Sequence, residues 1–532
     1  MREVLRTRWR GLQPNLTHLA YPAAPIVSRT VLVTGAASGL GLALAQQYAR
    51  TGWRVVSVIR PGPVAEGIIG IAIQADLQAP DALETIARAL HEARVDSLDR
   101  LIHNAAVGWV GAIPDMPFAR LDALLETNVA VPLRLTHVLL PLLVRAQGKV
   151  VFIGSVTAFL PSPAYAVYAA SKAAIDGFAR ALSVELDGRV AVQVVHPGPI
   201  RTGFHASSGA LDLDSSGFPT AEVIAVRTIR CIERAQWRVF PRVQERLLAC
   251  CGDWLRPVVD RLVRPASARI DAPSARASAT GAPRHAVVTG SASGLGAALA
   301  RALHERGYRV TGIDLAAAEG GAVGNTLSAD LSDSHAREGI LDTLAAGPPI
   351  GLVVHSAGTS ATGPFENESP AAIGRVLGIN LHAPLHLTIG LLARNALAPE
   401  ATMVMVSSLS HFVGYPGAAI YAASKDGLAS FGRSLGVAGR GQGYRCLTVL
   451  PGPLRTPHAT RFSPHGSSDR DRLDPDEAAR IIVAAIERKR TLIVIGKGAR
   501  IAMVIGRIAP TWTTRTFGRI MLRRLRDAPP AG

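Results

Sequence analysis

The chain has 532 residues, 48% of them hydrophobic and 18% charged, so it is long enough for more than one domain and too apolar to be disordered throughout. Its 57 Lys and Arg residues outnumber 40 Asp and Glu residues, and this excess of +17 suits an anionic ligand or a membrane surface. Aromatic residues make up only 5% and do not alternate with basic runs, so we expect no nucleic acid partner.

The first 27 residues form a basic extension that precedes any strand pattern. No apolar run with a small-residue cleavage site follows its first residues, so the segment does not resemble a signal peptide. The four cysteines of the chain lack the spacing of metal ligands or of paired disulfides. This predicts no metal site and a reducing, cytoplasmic setting.

The chain contains two copies of one pattern, about 254 residues apart. Its first glycine recurs 255 residues later (290 − 35 = 255), and an asparagine recurs 252 residues later (380 − 128 = 252). Residues 265–283, between the copies, are rich in Pro, Ala, Ser and Arg and show no apolar period, as expected of an exposed linker. The pattern predicts domains at 28–264 and 284–526, with a tail at 527–532.

Within each copy, apolar β-branched runs alternate with longer amphipathic stretches. This alternation predicts an α/β fold with two tandem domains, each a doubly wound parallel sheet with helices on both faces. Ligands of such sheets bind at the carboxyl ends of the strands. The predicted strands are 30–34, 54–59, 68–75, 101–103, 149–154 and 191–196 in the first copy, and 286–289, 309–314, 352–355, 402–407 and 446–450 in the second.

A glycine-rich turn follows the first predicted strand of each copy. Glycine lets backbone amides approach a pyrophosphate, and the helix that begins at the turn adds partial positive charge. Because two such turns each follow an apolar strand, we predict two dinucleotide sites. Their cofactor-binding residues are Gly35, Ser38, Gly39, Leu40 and Gly41 in the first copy and Gly290, Ser293, Gly294, Leu295 and Gly296 in the second.

The end of the second strand differs between the copies. Asp314 ends it in the second copy, where a carboxylate accepts hydrogen bonds from a free ribose diol and repels a 2′-phosphate, so we expect NAD there. In the first copy Ile59 replaces the acid and Arg60 follows. A guanidinium pairs with phosphate, so we expect NADP in that copy. The alternative for Arg60 is a solvated surface arginine.

An Asp-Leu pair closes the third strand region of each copy, as Asp76-Leu77 and as Asp330-Leu331. In a Rossmann layout this carboxylate would reach the adenine amino group of the dinucleotide, and we include both pairs among the cofactor-binding residues. An aspartate there is equally suited to cap the next helix. The sequence leaves these two roles open.

A tyrosine and a lysine four residues apart recur as Tyr168 with Lys172 and as Tyr421 with Lys425. On a helix this spacing places both side chains on one face. The ammonium, together with the positive nicotinamide ring of a bound cofactor, favours the phenolate and brings the pKa of the tyrosine nearer the working pH, which predicts a general acid and base.

Two further polar residues accompany each tyrosine. Ser155 and Ser408 end apolar strands 13 residues before the tyrosines (168 − 155 = 13; 421 − 408 = 13), where a hydroxyl would stabilise charge on a substrate oxygen. Asn128 and Asn380 lie upstream in helical context, and we expect each to hold a water that carries the proton to solvent.

These residues, with Pro197-Gly198 and Pro451-Gly452, resemble the short-chain dehydrogenase/reductase family, whose domains have roughly 250 residues, and the resemblance covers both copies. It implies that both domains are of the Rossmann type, each with a sheet of about seven strands, and that Asn, Ser, Tyr and Lys form a proton relay. It also implies that residues 197–202 and 451–456 flank the nicotinamide, which adds Pro197, Gly198, Pro451 and Gly452 to the predicted cofactor-binding residues.

The copies depart from this family after the fourth strand. The family's Asn-Asn-Ala-Gly is replaced by His103-Asn104-Ala105-Ala106 in the first copy and by His355-Ser356-Ala357-Gly358 in the second. We predict that Asn104 and Ser356 support the cofactor. A serine hydroxyl cannot make all the contacts of an amide, so we expect this support to be weaker in the second copy.

Basic stretches with an apolar period follow each predicted catalytic region, at 242–264 and at 498–526. The favoured interpretation is a terminal helix that packs on its own domain or covers the substrate cleft. The alternative is peripheral contact with an anionic membrane. The family resemblance implies pairing through the helices that carry the tyrosines. A tandem chain would satisfy this pairing internally, as a pseudo-dimer, or would form a homo-oligomer.

The sequence therefore predicts a bifunctional NAD(P)-dependent oxidoreductase that interconverts a small alcohol and a carbonyl. Apolar residues around the substrate segments point weakly to a lipophilic substrate. The alternative is a single active site, with the other half a regulatory or scaffolding nucleotide-binding module. A third class is a protein that senses NAD(P) without catalysis.

Overall fold

The computed structural model describes residues 29–63, 67–210, 213–263, 284–316, 325–462 and 472–526. The predicted N-terminal extension, the linker and the C-terminal tail lie outside these residues.

In the first half of the chain, strands alternate with helices. The strands are β1 (Thr30–Thr34), β2 (Arg54–Ile59), β3 (Ile71–Gln74), β4 (Arg100–His103), β5 (Lys149–Ile153), β6 (Ala191–Val195) and β7 (Arg238–Val239). The helices are α1 (Gly39–Arg50), α2 (Ala82–Glu92), α3 (Phe118–Leu125), α4 (Val131–Ala146), α5 (Ala166–Glu185), α6 (Phe204–Ser207), α7 (Ala221–Ile232), α8 (Val243–Trp254) and α9 (Arg256–Leu262).

The second half repeats this order. Its strands are β8 (His285–Thr289), β9 (Arg309–Asp314), β10 (Asn325–Ser328), β11 (Ile350–His355), β12 (Leu397–Val406), β13 (Tyr444–Pro451) and β14 (Leu492–Ile495). Its helices are α10 (Gly294–His304), α11 (Ser334–Ala346), α12 (Pro370–Leu377), α13 (Ala383–Ala393), α14 (Ser410–Val413), α15 (Ala419–Ala438), α16 (Pro457–Phe462), α17 (Pro475–Glu487), α18 (Lys497–Ile508) and α19 (Pro510–Arg526).

Each half forms one parallel sheet of seven strands, in the order β3-β2-β1-β4-β5-β6-β7 and β10-β9-β8-β11-β12-β13-β14. All five residues of β1 and of β8 are buried, because helices cover both faces of the sheets. The strand order reverses beside β1 and β8. The crevice at such a reversal, at the carboxyl ends of the strands, is where open α/β sheets bind ligands.

The predicted two-domain α/β architecture is confirmed, and the bounds of β1, β2 and β9 match the sequence patterns. Three strands were missed. β7 has only two residues, and β10 has the polar sequence Asn-Thr-Leu-Ser, so neither carries an apolar run. β14 has the apolar sequence Leu-Ile-Val-Ile, a signal that was present in the chain.

Helices α5 and α15 pack lengthwise against each other and join the two halves. Gly427 on α15 permits this approach, since a Cβ atom there would lie 3.1 Å from the carbonyl oxygen of Ala170 on α5. One hydrophobic cluster contains residues of both halves, and the ring of Phe178 lies 5.1 Å from that of Phe365. The halves therefore share a core.

Buried polar contacts cross the same interface. Arg180 on α5 forms an ion pair with Asp426 on α15. Glu185, at the end of α5, accepts hydrogen bonds from the backbone of the second half, from Gly417 N at 2.6 Å and from Phe365 N at 3.0 Å. These bonds hold the first half in a fixed position relative to the segment before α15.

Two helical stretches, Phe118–Ala146 and Pro370–Ala393, are apolar and long enough to cross a membrane by length and composition. Their most apolar windows are 56% and 78% buried inside the protein. Packing in the core accounts for their hydropathy, as in the core helices of soluble proteins.

The C-terminal helices of each half contact both halves. Arg433 on α15 donates to the carbonyl oxygen of Gly252 on α8 and pairs with Asp260 on α9. In the other direction, α19 packs on α5, where Gly518 lies against Val184. Gly252 also lies against Phe159 and Gly506 against Phe412, so the predicted packing of these helices on their own domains is present, together with contacts to the other half of the chain.

Candidate active sites

The glycine turns at the ends of β1 and β8 require glycine for their backbone shape. Gly35 and Gly290 have φ angles of +66° and +71°, a region that L-residues with side chains rarely adopt. A Cβ atom on Gly41 would lie 2.2 Å from the oxygen of Gly35, and one on Gly296 would lie 1.9 Å from the oxygen of Gly290. Both turns are therefore built around close backbone packing.

The helix N-termini beyond these turns are suited to hold a pyrophosphate. Ser38 and Ser293 are the N-cap residues of α1 and α10, and neither side chain bonds to the backbone amides of the first turn. No acidic residue occurs in either first turn. Amides without a side-chain cap and the positive end of the helix dipole favour an anion, so the residues present fit a dinucleotide phosphate.

The ends of the second strands differ, as the sequence indicates. Asp314 is partly buried, and its carboxylate accepts hydrogen bonds from Ala292 N at 2.9 Å, in the glycine turn, and from Ala316 N at 3.2 Å. In the first half Ile59 is buried at the corresponding position, and Arg60 is exposed. One site therefore presents a carboxylate beside its glycine turn and the other does not.

Asp76 and Asp330 do not cap helices. The N-cap residues of α2 and α11 are Asp81 and Asp333, so the alternative of a helix cap is wrong for both. Asp76 is exposed and accepts a hydrogen bond from Gln78 N at 3.1 Å, and Asp330 is exposed and accepts one from Ser332 N at 2.8 Å. The following Leu77 is partly buried and Leu331 is buried.

Asn104 and Ser356 make different numbers of contacts with the first strand. The Asn104 amide donates to the carbonyl oxygens of Thr34 at 3.1 Å and Gly35 at 3.3 Å. The Ser356 hydroxyl donates only to the oxygen of Thr289, at 2.6 Å. The serine thus reproduces one of the two side-chain contacts with the first strand and its glycine turn.

The catalytic residues predicted for the first half lie together. The hydroxyls of Tyr168 and Ser155 are hydrogen-bonded. The ammonium of Lys172 lies 5.5 Å from the centroid of the Tyr168 ring and donates to the oxygen of Ile153 at 2.9 Å. The spacing of four residues on α5 therefore places tyrosine and lysine on one face, beside the serine that ends β5.

The second half repeats this geometry. The hydroxyls of Tyr421 and Ser408 are hydrogen-bonded, and the ammonium of Lys425 lies 5.7 Å from the Tyr421 ring. Lys425 donates to the oxygen of Val406 at 3.0 Å, the counterpart of the first bond to a β5 carbonyl.

Burial has the largest effect on these pKa values. It raises the pKa of Tyr168 well above its usual value and that of Tyr421 to about 12, while the hydrogen bonds from Ser155 and Ser408 act in the opposite direction. Burial also lowers the pKa of both lysines to about 8. The predicted lowering of the tyrosine pKa by lysine is therefore outweighed by burial in this structure.

Asn128 and Asn380 lie in π-turns that interrupt long helices, at Glu126–Ala130 and Gly378–His382. Such turns displace the regular helical hydrogen bonds and often occur at functional sites. The Asn128 side chain bonds to the backbone N and O of Val107, both at 2.9 Å, and to Ser171 at 3.1 Å. This side chain is engaged with protein groups, so a water near it would bond to the main chain.

The Pro-Gly segments lie beside the same crevices. The oxygen of Pro197 accepts a hydrogen bond from Val156 N, next to Ser155, and that of Pro451 accepts one from Leu409 N, next to Ser408. At the ends of these segments, methyl groups of Thr202 and Thr456 would lie 3.3 Å from a Cβ atom on Gly39 or Gly294. The segments therefore extend from the serines to the glycine turns.

Aromatic residues beside the tyrosines were missed by the sequence patterns. The rings of Tyr165 and Phe204 lie 6.3 Å and 5.3 Å from that of Tyr168. Tyr415 and His458 each lie 6.3 Å from Tyr421. Burial lowers the pKa of His458 to about 4, so it is neutral at physiological pH. Phe204 and His458 are at equivalent positions (204 + 254 = 458) but differ in residue type, and Tyr165 and Tyr415 are at different positions (165 + 253 = 418), which is why the repeat did not reveal them.

Two parallel sheets with glycine turns at their reversal points define a pair of nucleotide-binding domains of the Rossmann class. A family model described as short chain dehydrogenase matches residues 29–211 and again residues 284–466. These matches cover more than half of the chain, and the chain belongs to the short chain dehydrogenase family. It is an oxidoreductase that acts on CH–OH and C=O groups with a nicotinamide cofactor.

Several known proteins are similar to one half of the chain. A short chain dehydrogenase of Pseudocercospora fijiensis is 32% identical over 217 residues, which are 37% of this chain and 70% of that protein. Serine 3-dehydrogenase of Agrobacterium fabrum is 34% identical over 187 residues, 34% of this chain and 74% of that protein. A solved short-chain dehydrogenase from Sphingobium yanoikuyae, in complex with NADPH, is 27% identical, with a TM-score of 0.38, over 45% of this chain and 98% of that one.

One solved structure spans both halves. The N-terminal ketoreductase from a macrolactin assembly line is 12% identical, with a TM-score of 0.58, and covers 90% of each chain. At this identity the likeness concerns the fold alone.

Proposed function

We propose that both halves are active, so that the chain is a bifunctional oxidoreductase with two alcohol–carbonyl sites. The observation that carries this proposal is the repeated hydrogen-bonded pair of tyrosine and serine with a buried lysine beside it, at Tyr168 and again at Tyr421. Each group lies at the carboxyl ends of the strands, next to a turn that fits a dinucleotide. A regulatory half would not need this arrangement.

In each site we assign the tyrosine as the general acid and base. The serine hydroxyl bonds to the substrate oxygen and stabilises the charge that develops on it. The tyrosine then gives a proton to that oxygen during reduction or takes one during oxidation. A bound nicotinamide supplies or accepts the hydride. The lysine, held by the carbonyl of β5 or β12, orients the nicotinamide ribose and keeps positive charge near the phenol.

The proton reaches solvent through the π-turns in this proposal. The side chains of Asn128 and Asn380 hold the loops at Val107 and Thr359 through paired hydrogen bonds. A π-turn releases a carbonyl from the helical ladder. We assign that carbonyl, rather than the asparagine amide, as the group that binds the water of the relay.

Single and double tyrosine substitutions test the number of active sites. Tyr168→Phe and Tyr421→Phe each remove the proton donor of one site. We expect each variant to lose only the turnover that its half performs, in a screen of alcohols and ketones followed by NAD(P)H absorbance, and the double variant to lose all of it. A substitution that changes nothing identifies its half as the regulatory module of the alternative reading.

The cofactor preference is proposed to be split, with NADP in the first half and NAD in the second. The exposed guanidinium of Arg60 and the carboxylate of Asp314 beside its glycine turn support this assignment. The test is the ratio of NADP to NAD affinity: Arg60→Ala is expected to lower it in the first half, and Asp314→Ala to raise it in the second. Unchanged ratios would overturn the split.

The packing of α5 on α15 supports a further proposal, that the chain is an internal pseudo-dimer. Each half offers the helix that carries its tyrosine, and the partner helix of the other half covers it. We propose a cytoplasmic enzyme for small alcohols or ketones, with a lipophilic group that the aromatic rings beside the tyrosines would contact. Isolated halves that both remain soluble monomers would argue against the internal pairing.

A further inference from the structure

Exposed apolar side chains concentrate in two parts of the described chain. We call residues 243–262 (α8 and α9) the first tail pair and residues 497–526 (α18 and α19) the second tail pair. Of 17 exposed large hydrophobic residues, 13 belong to these tail pairs. They are Val243, Leu247, Leu248, Trp254, Leu255, Val258 and Leu262 in the first pair and Ile501, Val504, Ile508, Trp512, Phe517 and Ile520 in the second. Apolar exposure of this extent marks an interaction surface.

The two tail pairs meet at one cavity between the halves. A cavity of about 90 Å³ between α5 and α15 is lined by Arg256 of the first tail pair and by Arg507 and Pro510 of the second. Both pairs therefore adjoin one point of the interface between the halves. Spacing within the helices also groups the exposed residues, since Ile501, Val504 and Ile508 fall on one helical face.

The charge of the second tail pair is complementary to an anionic surface. Residues 497–526 contain eight Lys and Arg residues and no Asp or Glu, which is nearly half of the excess of 17 for the whole chain. The first tail pair adds no net charge, since its three arginines are matched by three acids; of these, Glu245 is buried against Arg242 and Asp260 pairs with Arg433. In the second tail pair, exposed basic residues lie on the same helices as the exposed apolar ones: Lys497, Arg500, Arg515 and Arg519.

Each tail pair begins beside a segment expected to flank the nicotinamide. Glu245 on α8 accepts a hydrogen bond from Gly198 N at 2.7 Å. Ala499 on α18 lies against Gly452, where an added Cβ atom would be 3.2 Å from the Ala499 Cβ. Each tail pair is therefore in direct contact, through α8 or α18, with the Pro-Gly segment of one candidate site.

We infer that the two tail pairs form one docking surface for an anionic lipid bilayer, and that both sites take lipophilic alcohols or ketones from it. The second part rests on the proposed function. Trp512 and Trp254, with arginines nearby, are the residue types that favour a membrane interface. A second copy of the chain suits this face less well, because neither tail pair carries a net negative charge that would offset the eight positive charges of a second tail pair.

The surface is tested by co-sedimentation of the full chain with vesicles of phosphatidylcholine, with and without phosphatidylserine. We expect binding that requires phosphatidylserine and weakens as salt rises. Leu247→Glu and Trp512→Glu lie in different tail pairs, and each should weaken partitioning roughly tenfold or more, since each removes an inserted apolar side chain and adds a negative charge. The matched control is Val223→Glu, an exposed apolar residue on α7, which should bind as the wild type does.

Three outcomes would overturn the docking surface. The first is that the wild-type chain fails to bind phosphatidylserine vesicles even at low salt. The second is that only one of the two tail variants changes binding, which would mean that the pairs do not act as one surface. The third is a dimer in solution, measured by light scattering, that dissociates on Leu247→Glu while vesicles bind neither form.

The substrate class has its own readout. We expect a long-chain methyl ketone carried in phosphatidylserine vesicles to be reduced by the wild type and several-fold more slowly by Leu247→Glu and Trp512→Glu, while butanone in solution is reduced equally by all three. Reduction of butanone with no reduction of the vesicle-borne ketone would overturn the substrate class alone. Vesicle binding without turnover of any ketone or alcohol would overturn the proposed function and leave the docking surface standing.

Discussion

Glu185 offers a quantitative test of the interface between the halves. It is buried at 5% exposure, and its two carboxylate oxygens accept hydrogen bonds from Gly417 N and Phe365 N of the second half. Burial raises its pKa to about 7, against the opposing effect of the two N–H bonds, and the nearby Glu368 and Glu366 raise it further. The corresponding residue of the second half is Ala438 (185 + 253 = 438), so the second half has no equivalent carboxylate at this position to bind the backbone of the first half.

The magnitude follows from the difference in pKa between the folded and unfolded chain. A pKa raised from 4.5 to about 7 means that the folded chain binds more protons between these values, so the contribution of Glu185 to stability is lost as pH rises through about 7. Between about pH 5 and pH 8 the loss amounts to about 2.5 kcal/mol. Glu185→Ala removes this pH dependence and also leaves two buried N–H groups without their acceptor, at about 1–3 kcal/mol each.

We therefore expect Glu185→Ala to be less stable than the wild type, with a difference that is about 2.5 kcal/mol larger near pH 5 than near pH 8. Urea unfolding of both proteins at the two pH values measures it. The control is Glu487→Ala, which removes an exposed carboxylate and should leave the pH dependence unchanged. An equal pH slope in Glu185→Ala and wild type, or a larger difference near pH 8, would refute the reasoning.

Two further substitutions test buried polar contacts. Arg180→Met leaves the buried carboxylate of Asp426 without its arginine and should destabilise the chain by about 3–5 kcal/mol in thermal unfolding. The control is Arg189→Met, at an exposed ion pair, which should cost less than about 1 kcal/mol in the same experiment. Asn104→Ser removes the hydrogen bond to the oxygen of Gly35 in the glycine turn and should lower the free energy of unfolding by about 1 kcal/mol. Ser356→Asn should raise it by a similar amount, because the amide can bond to Gly290 O as well as to Thr289 O. Stabilities equal to that of the wild type would show that this hydrogen bond to the glycine turn contributes nothing.

Short motifs in the sequence were enough to predict most of the fold and the chemical groups of both sites. The glycine turns, the tyrosine–lysine pairs and the strand-end serines depend on local spacing, and a duplicated pattern makes chance agreement improbable. β1, β2 and β9 were located because buried parallel strands read as continuous apolar runs. β7 and β10 lack such runs, since the first is two residues long and the second lies at a sheet edge with polar residues.

Other features depend on contacts between residues far apart in the chain. The bonds of Glu185 to Gly417 and Phe365 join positions in different halves, and no local pattern indicates them. The sequence left Asp76 as either a cofactor-binding residue or a helix cap, because the start of α2 was not located. Asp81, which directly precedes the helical pattern, was the signal that could have identified the cap. Burial raises the pKa of Tyr168 and Tyr421, and this burial depends on packing between distant segments that the local pattern does not reveal.

The number of dinucleotide sites is the most direct test of two functional halves. With saturating NADH and NADPH, equilibrium dialysis of the wild-type chain should give two bound dinucleotides per chain. Gly41→Ala and Gly296→Ala each place a Cβ atom within about 2 Å of a backbone oxygen in one turn, and each should leave one site, while Gly339→Ala, where a Cβ meets nothing within 4 Å, should leave both. One dinucleotide or none in the wild type, or two in either turn variant, would contradict the account.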